Sequence, residues 1–173
     1  MSDPIVIVSA ARTPMGGFRG DFSSLAAHDL GGAAIRAAIE RAGIAVDRVD
    51  EVLMGNCLMA GQGQAPARQA AFKAGLPKGA GAVTLSKMCG SGMKAVQMAA
   101  QAIICGDAEI VVAGGQESMS QSPHFMHMRS GLKMGDGKLV DSMVSDGLTD
   151  AEIVVAGGQE SMSQSPHFMH MRS

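Results

Sequence analysis

The chain has no tryptophan and no tyrosine, and aromatic residues make up only 3% of it, so the interior must be filled by Ile, Val, Leu, Ala and 15 Met, the last a flexible filler. Strong charge is missing too. The formal net charge is −2 and Lys and Arg form no cluster, which argues against nucleic acid or an anionic membrane surface as partner. No apolar run reaches transmembrane length, and the opening MSDPIVIVSAARTP lacks the basic segment and long apolar stretch of a secretory signal. Cysteine is sparse. Cys57, Cys89 and Cys105 are an odd number, widely spaced and without a CxxC pair, which excludes a disulfide framework and a cysteine-built zinc site. Free thiols in a reducing, cytoplasmic setting are the expectation.

What is present is alternation. At 173 residues with 46% apolar content, the chain is long enough to bury a core as one domain. Short β-branched runs at 5–9, 51–58, 82–86 and 109–113 read as strands. Between them, helical spacing marks 24–42, ending at Gly43; 66–74, with Pro66 in its first turn and Gly75 after it; and 93–105, with Met93, Val96, Ala100 and Ile103 on one stripe and Gly106 as cap. Strand and helix in turn predict an α/β fold, a sheet covered by helices. From 116 to 150 the periodicity fades, and loop with short helical pieces is expected.

Residues 107–130 recur, letter for letter, as 150–173. Diverged units in threes or more are the mark of a solenoid, and this is neither. Both copies begin at a shared Asp-Ala, the kind of word at which a rearrangement or a misjoined read leaves its seam. The second copy is therefore expected to be an artefact or a recent rearrangement. A second EIVVA strand at 152–156 would compete with the first for one slot or hang from a sheet edge.

The most chemical stretch is KMCGSGMKA, 87–95. Cys89 ends a strand-like run just before a helix, between residues that allow a tight turn. A thiol at a helix N-terminus faces the positive end of the dipole, which favours the nucleophilic thiolate. Pattern alone leaves two readings open, a reactive thiol and a buried structural one. Cys57 and Cys105 sit inside apolar elements, without the Gly-x-Gly that follows Cys89, and read as structural. HFMHM, present twice, offers His124 and His127 at i, i+3 beside Met, a ligand type suited to copper, but an ordinary loop is the preferred reading.

Several stretches together carry a resemblance: AARTPMGGFRG at 10–20, GQGQAPARQAAFKAGLP at 61–77, KMCGSGMKAV at 87–96, VAGGQESMS at 112–120 and SGLKMGDGKLVDSMVSDGL at 130–148. They resemble the N-terminal half of the thiolase family, of the acetyl-CoA acetyltransferase type. Ketoacyl synthases are similar in fold, but 11–20 and 114–120 favour the thiolase branch. The resemblance implies a mixed sheet covered by helices over 4–120 and the start of a loop domain over 121–150; the exact copy of 108–130 at 151–173 departs from it. It implies that Cys89 takes the acyl group from an acyl-CoA thioester and passes it to or from a second one, as in acetyl-CoA acetyltransferase or 3-ketoacyl-CoA thiolase chemistry, its backbone N–H donating to the oxyanion. Coenzyme A thioesters are then substrates, with no covalently bound cofactor and no metal. The resemblance further implies a homo-oligomer, dimer or tetramer, in the full-length parent. The family's Asn motif, activating His and second Cys fall in its other half, and none of His28, His124, His127, His167 and His170 replaces them convincingly. A non-catalytic dimerising or partner-binding half-domain is the alternative.

Overall fold

The structure is a computed structural model that describes residues 5–149 and the backbone of 167–172. Its main sheet is mixed and five-stranded. In chain order the elements are β1 (Ile5–Ala11), α1 (Ala27–Ala42), β2 (Glu51–Gly55), α2 (Pro66–Ala74), β3 (Gly81–Leu85), α3 (Ser91–Cys105), β4 (Ile110–Gly115), the short pair β5 (His124–Phe125) and β6 (Val140–Asp141), and β7 (His167–Arg172). The strand order is β1-β7-β4-β2-β3, with β2 parallel to β3 and β4, and β7 antiparallel to β1 and β4.

The sheet separates two apolar layers by the period-2 alternation of its strands. Val52, Met54, Ile110 and Val112 meet Ile35, Ile39 and the alanines of α2 on one face. Leu53, Val111 and Ala113 meet Ala95, Ala99 and Ile103 of α3 on the other. All six residues of β4 are buried, as a strand covered on both faces requires. Ile35, Ile39, Ile103, Val52 and Val111 are almost wholly inaccessible, and each contributes roughly 1.5–3 kcal/mol by leaving water. That outweighs local helix signals such as the Ala26 N–H donated to Asp29 Oδ2 (3.0 Å), worth about 1 kcal/mol.

Four strands and three helices lie where the sequence places them, with shifts that have local causes. α1 begins at Ala27 rather than 24, because the Asp29 carboxylate caps the Ala26 N–H and leaves Ser24 and Leu25 in the preceding turn. β2 stops at Gly55 rather than 58, because the N–H groups of Cys57 and Leu58 turn away to a carboxylate described below. α2 keeps its bounds, its first turn receiving Thr84 Oγ1 as acceptor for the Ala67 N–H (2.9 Å). α3 starts two residues early, at Ser91, and buries Ser91, Ala95, Ala99 and Ile103. The expected stripe is therefore rotated: Met93 is 67% exposed. Gly43, Gly75 and Gly106 end the helices in left-handed conformation, as expected.

Between 116 and 150 the structure adds the β5–β6 pair and a π-type turn, Met143–Leu148, to the expected loop. The expected strand at 152–156 lies outside the described residues. β7, which sequence periodicity did not single out, fills the place between β1 and β4, pairing Ala11 with His167 and Ala113 with Phe168.

The parallel register brings Gly55 opposite both Leu85 and Gly115, so β2, β3 and β4 end level. The first turn of α3 rests on that end. A Cβ on Gly55 would lie 2.6 Å from Ser91 Cβ and 2.8 Å from the Gly92 nitrogen, contacts with backbone that cannot swing aside. Gly55→Ala is therefore expected to destabilise the fold by about 2–3 kcal/mol, read as a lower urea midpoint. An unchanged midpoint would contradict this packing.

Candidate active site

Ligand sites of parallel sheets open beyond the carboxyl ends of the strands, and three segments leave this sheet there: 56–58 after β2, 86–90 after β3 and 116–118 after β4. Their backbones are tied together, the Asn56 N–H donating to Leu85 O (3.0 Å) and the Gln116 N–H to Gly55 O (2.9 Å).

The segment after β3 carries Cys89. Its thiol is exposed, and it stands one residue before Gly90, the N-cap of α3. The preceding residue, Met88, has φ +47°, one of two non-glycine residues in the left-handed region among those described. For an ordinary side chain that conformation is roughly 1–2 kcal/mol unfavourable and needs compensation. The Met88 carbonyl supplies it. It accepts the Ser91 hydroxyl (2.6 Å), the Ser91 N–H (3.0 Å) and the Cys57 thiol (3.0 Å). The Ser91 oxygen also accepts the Lys87 N–H (2.7 Å), so one buried hydroxyl ties the two residues that precede Cys89 to the first turn of α3.

Glu117 holds the segment after β2. It is largely buried, and its carboxylate accepts Asn56 Nδ2 (2.6 Å), the Cys57 N–H (2.8 Å) and the Leu58 N–H (3.1 Å). Burial pushes its pKa above the usual carboxylate range, and the three donors, which favour the anion, recover only part of that shift. Burial likewise raises the Cys57 thiol, with the Glu117 charge adding to the rise and the Ser91 hydroxyl opposing it. Cys57 is thereby kept protonated and serves as a donor. The sequence reading put Cys57 inside an apolar strand; it lies instead in the turn after β2, beside the segment that carries Cys89. Cys105, expected inside an apolar element, is instead exposed, at the last residue of α3.

The histidines have other surroundings. His28 lies on α1, in the layer opposite α3, beside Asp29 and Lys73; burial and the Lys73 charge lower its pKa. His124 and His127 do not share a helix face: His124 is in β5, 3.8 Å from Asp141, and His127 packs edge-on against Phe125. No group of three or more His, Cys, Asp or Glu placed to hold a metal occurs among the described residues. A concavity of about 340 Å³ is lined by Met126, His127, Met128, Arg129 and Ser130, with none of the residues around Cys89.

Sequence reasoning reached Cys89 but missed Ser91, Glu117 and Cys57. A signal existed for each. Cys57 and Glu117 both come two residues after a strand-ending glycine, and Ser91 follows the nucleophile candidate by two. Only the level register of the three strands converts those offsets into contact.

Because Glu117 holds its proton more tightly in the folded chain than in the unfolded one, its contribution to stability is full below the ordinary carboxylate pKa. It is lost as pH rises through the elevated native value. The stability of wild type minus Glu117→Gln, from urea midpoints between about pH 4 and pH 8, is therefore expected to fall with rising pH. A flat or rising difference would contradict the burial-dominated shift. Glu117→Gln turns an amide NH2 toward the donors and is itself expected to cost about 1–3 kcal/mol.

The sequence signature described as thiolase, N-terminal domain, matches residues 5–152. The chain is 57% identical over 150 residues to the acetyl-CoA acetyltransferase of Rhizobium meliloti (strain 1021), covering 86% of the chain and 38% of that protein. It is 59% identical over 145 residues to the acetyl-CoA acetyltransferase of Cupriavidus necator, covering 83% and 37%, and 57% identical over 145 residues to that of Pseudomonas aeruginosa, covering 83% and 37%. The chain thus spans under two-fifths of the length of these curated relatives. With its mixed sheet between helical layers and a cysteine-bearing turn at the strand ends, the chain belongs to the thiolase family, as an N-terminal domain.

Proposed function

We propose that Cys89 is the acyl-accepting nucleophile of an acyl transfer between coenzyme A thioesters, the activity named for the relatives. In the first half of the reaction the Cys89 sulfur, giving up its proton, attacks the thioester carbonyl. A carbon–sulfur bond forms to Cys89, the bond to coenzyme A breaks, and coenzyme A leaves as the thiol after taking up a proton. The oxygen that becomes negative in between is stabilised by the Cys89 backbone N–H. The observation that carries this reading is the placing of two cysteines at one turn: Cys57 half-buried and bonded to the Met88 carbonyl, Cys89 exposed just before α3.

The second acyl-CoA, and the Asn, His and second Cys that the family resemblance implies, are assigned to the rest of the longer proteins. Catalytic groups act as a unit. Turnover by these residues alone is expected to be at least about a thousandfold below a complete thiolase. Residues 151–173 are read as an artefact or a recent rearrangement, whose strand β7 nevertheless pairs with β1 and β4. Their identity to 108–130 and the family match ending at 152 support that reading. An odd number of widely spaced cysteines fits a cytoplasmic setting, and among the described residues no helix is long and apolar enough to cross a membrane.

A second reading, a half-domain that associates with further protein, is favoured by one observation. Met93 and Ile104 on α3 and Ile7 on β1 are each more than half exposed. Self-association on gel filtration is expected at micromolar concentration, and a clean monomer would contradict it. For the nucleophile, peptide mapping after incubation with acetyl-CoA is expected to show one acetyl group on the Cys89 peptide, none on the Cys105 peptide, and none in Cys89→Ala. Absence of the label in folded protein, or equal labelling of Cys105, would overturn the assignment.

A further inference from the structure

We propose that Ser91 is a positioning residue for Cys89, acting by holding Met88 in its left-handed conformation. The inference rests on the reading of Cys89 as nucleophile and goes beyond it. Three features carry it. The Ser91 side chain is buried, pressed by Gly55 from below, so its hydroxyl has a fixed place. That hydroxyl donates to Met88 O at 2.6 Å and accepts the Lys87 N–H at 2.7 Å, so its two short bonds go to the turn that precedes Cys89, while Cys57 Sγ lies 3.6 Å from it. Met88 has φ +47°, a conformation that Met does not hold without compensating bonds.

The geometry explains why the bonds matter. With φ of Met88 positive, the chain passes from β3 to α3 within the few residues 86–90, and Cys89 stands one residue before the N-cap of the helix. If Met88 relaxed to an ordinary negative φ, the backbone that carries Cys89 would swing away from the first turn of α3, and the thiol would lose its fixed place there. Cys57 contributes a weaker bond to the same carbonyl, sulfur being a poor donor. Glu117 acts one step further out, fixing the Cys57 and Leu58 backbone from which that thiol projects.

A specific rescue separates positioning from general support of the fold. Glycine enters the left-handed region without penalty. Met88→Gly should therefore suppress the defect of Ser91→Ala, which it would not do if Ser91 only filled space. The readout is the alkylation rate of Cys89 by iodoacetamide relative to Cys105 in the same molecule, resolved by peptide mass spectrometry, with amide exchange of α3 reporting the fold. Ser91→Ala is expected to lower the ratio about tenfold, the size set by losing the compensation for a left-handed residue. The Ser91→Ala/Met88→Gly double variant is expected to regain most of it.

An unchanged ratio in folded Ser91→Ala, or no recovery in the double variant, would overturn the proposal. Should Ser91→Ala fail to fold, Cys57→Ala removes another donor to the same carbonyl. A loss of about two- to threefold, recovered by Met88→Gly, is expected there, and no loss would overturn the proposal. Acetyl-CoA labelling of wild type is run in parallel. If it fails while the alkylation pattern holds, the nucleophile assignment falls and the positioning inference stands.

Discussion

The first turn of α3 sits directly on the backbone of Gly55, with Gly115 close by, and the candidate site follows from that contact. Parallel pairing makes β2, β3 and β4 end level, and two of the three end in glycine. A side chain on Gly55 would lift the helix away from the sheet. Without one, Ser91 comes within hydrogen-bonding reach of the turn that leaves β3, and the segment after β2 comes within reach of the one after β4. Packing of small residues thus sets the distances on which the chemistry depends. The buried alanines of α3, Ala95 and Ala99, extend the same close approach along the helix.

Electrostatics then separates two thiols that share the site. Burying a carboxylate is unfavourable unless donors surround it, and Glu117 has three. They do not offset its desolvation fully, so its pKa is raised, and the resulting field adds to the burial that raises Cys57. Cys57 keeps its proton and can donate to the Met88 carbonyl. The carboxylate therefore shapes the site at second hand, by anchoring the 56–58 backbone and by keeping a neighbouring thiol a donor.

The elements with strong local signals were legible. Pro66 before a run of alanines, the apolar stretches at 5–9 and 109–113, and the glycines after each helix all marked structure that is present. Boundaries were less so, because tertiary partners set them: Glu117 pulls Cys57 and Leu58 out of β2, and Gly55 lets α3 begin at Ser91. The rotated stripe of α3 shows why apolar spacing misled. Met93 is apolar but points outward, while the small Ser91 and Ala95 face the sheet because only small residues fit there. At the site, Cys89 was visible through its flanking glycines, whereas Ser91, Cys57 and Glu117 meet through long-range register that no local pattern encodes. The repeated word HFMHMR makes the same point. At 124–129 only its first two residues are strand, paired with β6, whereas at 167–172 all six pair with β1 and four of them, 168–171, also with β4. Identical residues take different structure according to the edge offered to them.

The central claim is that a left-handed Met88, held by the Ser91 hydroxyl and the Cys57 thiol, presents Cys89 at the start of α3. A crystal structure of the chain tests it most directly. The account predicts a positive φ at residue 88, with Ser91 Oγ and Cys57 Sγ both within hydrogen-bonding distance of the Met88 carbonyl oxygen. Met88 at negative φ, with that carbonyl turned to solvent and the Cys57 thiol bonded elsewhere, would contradict it.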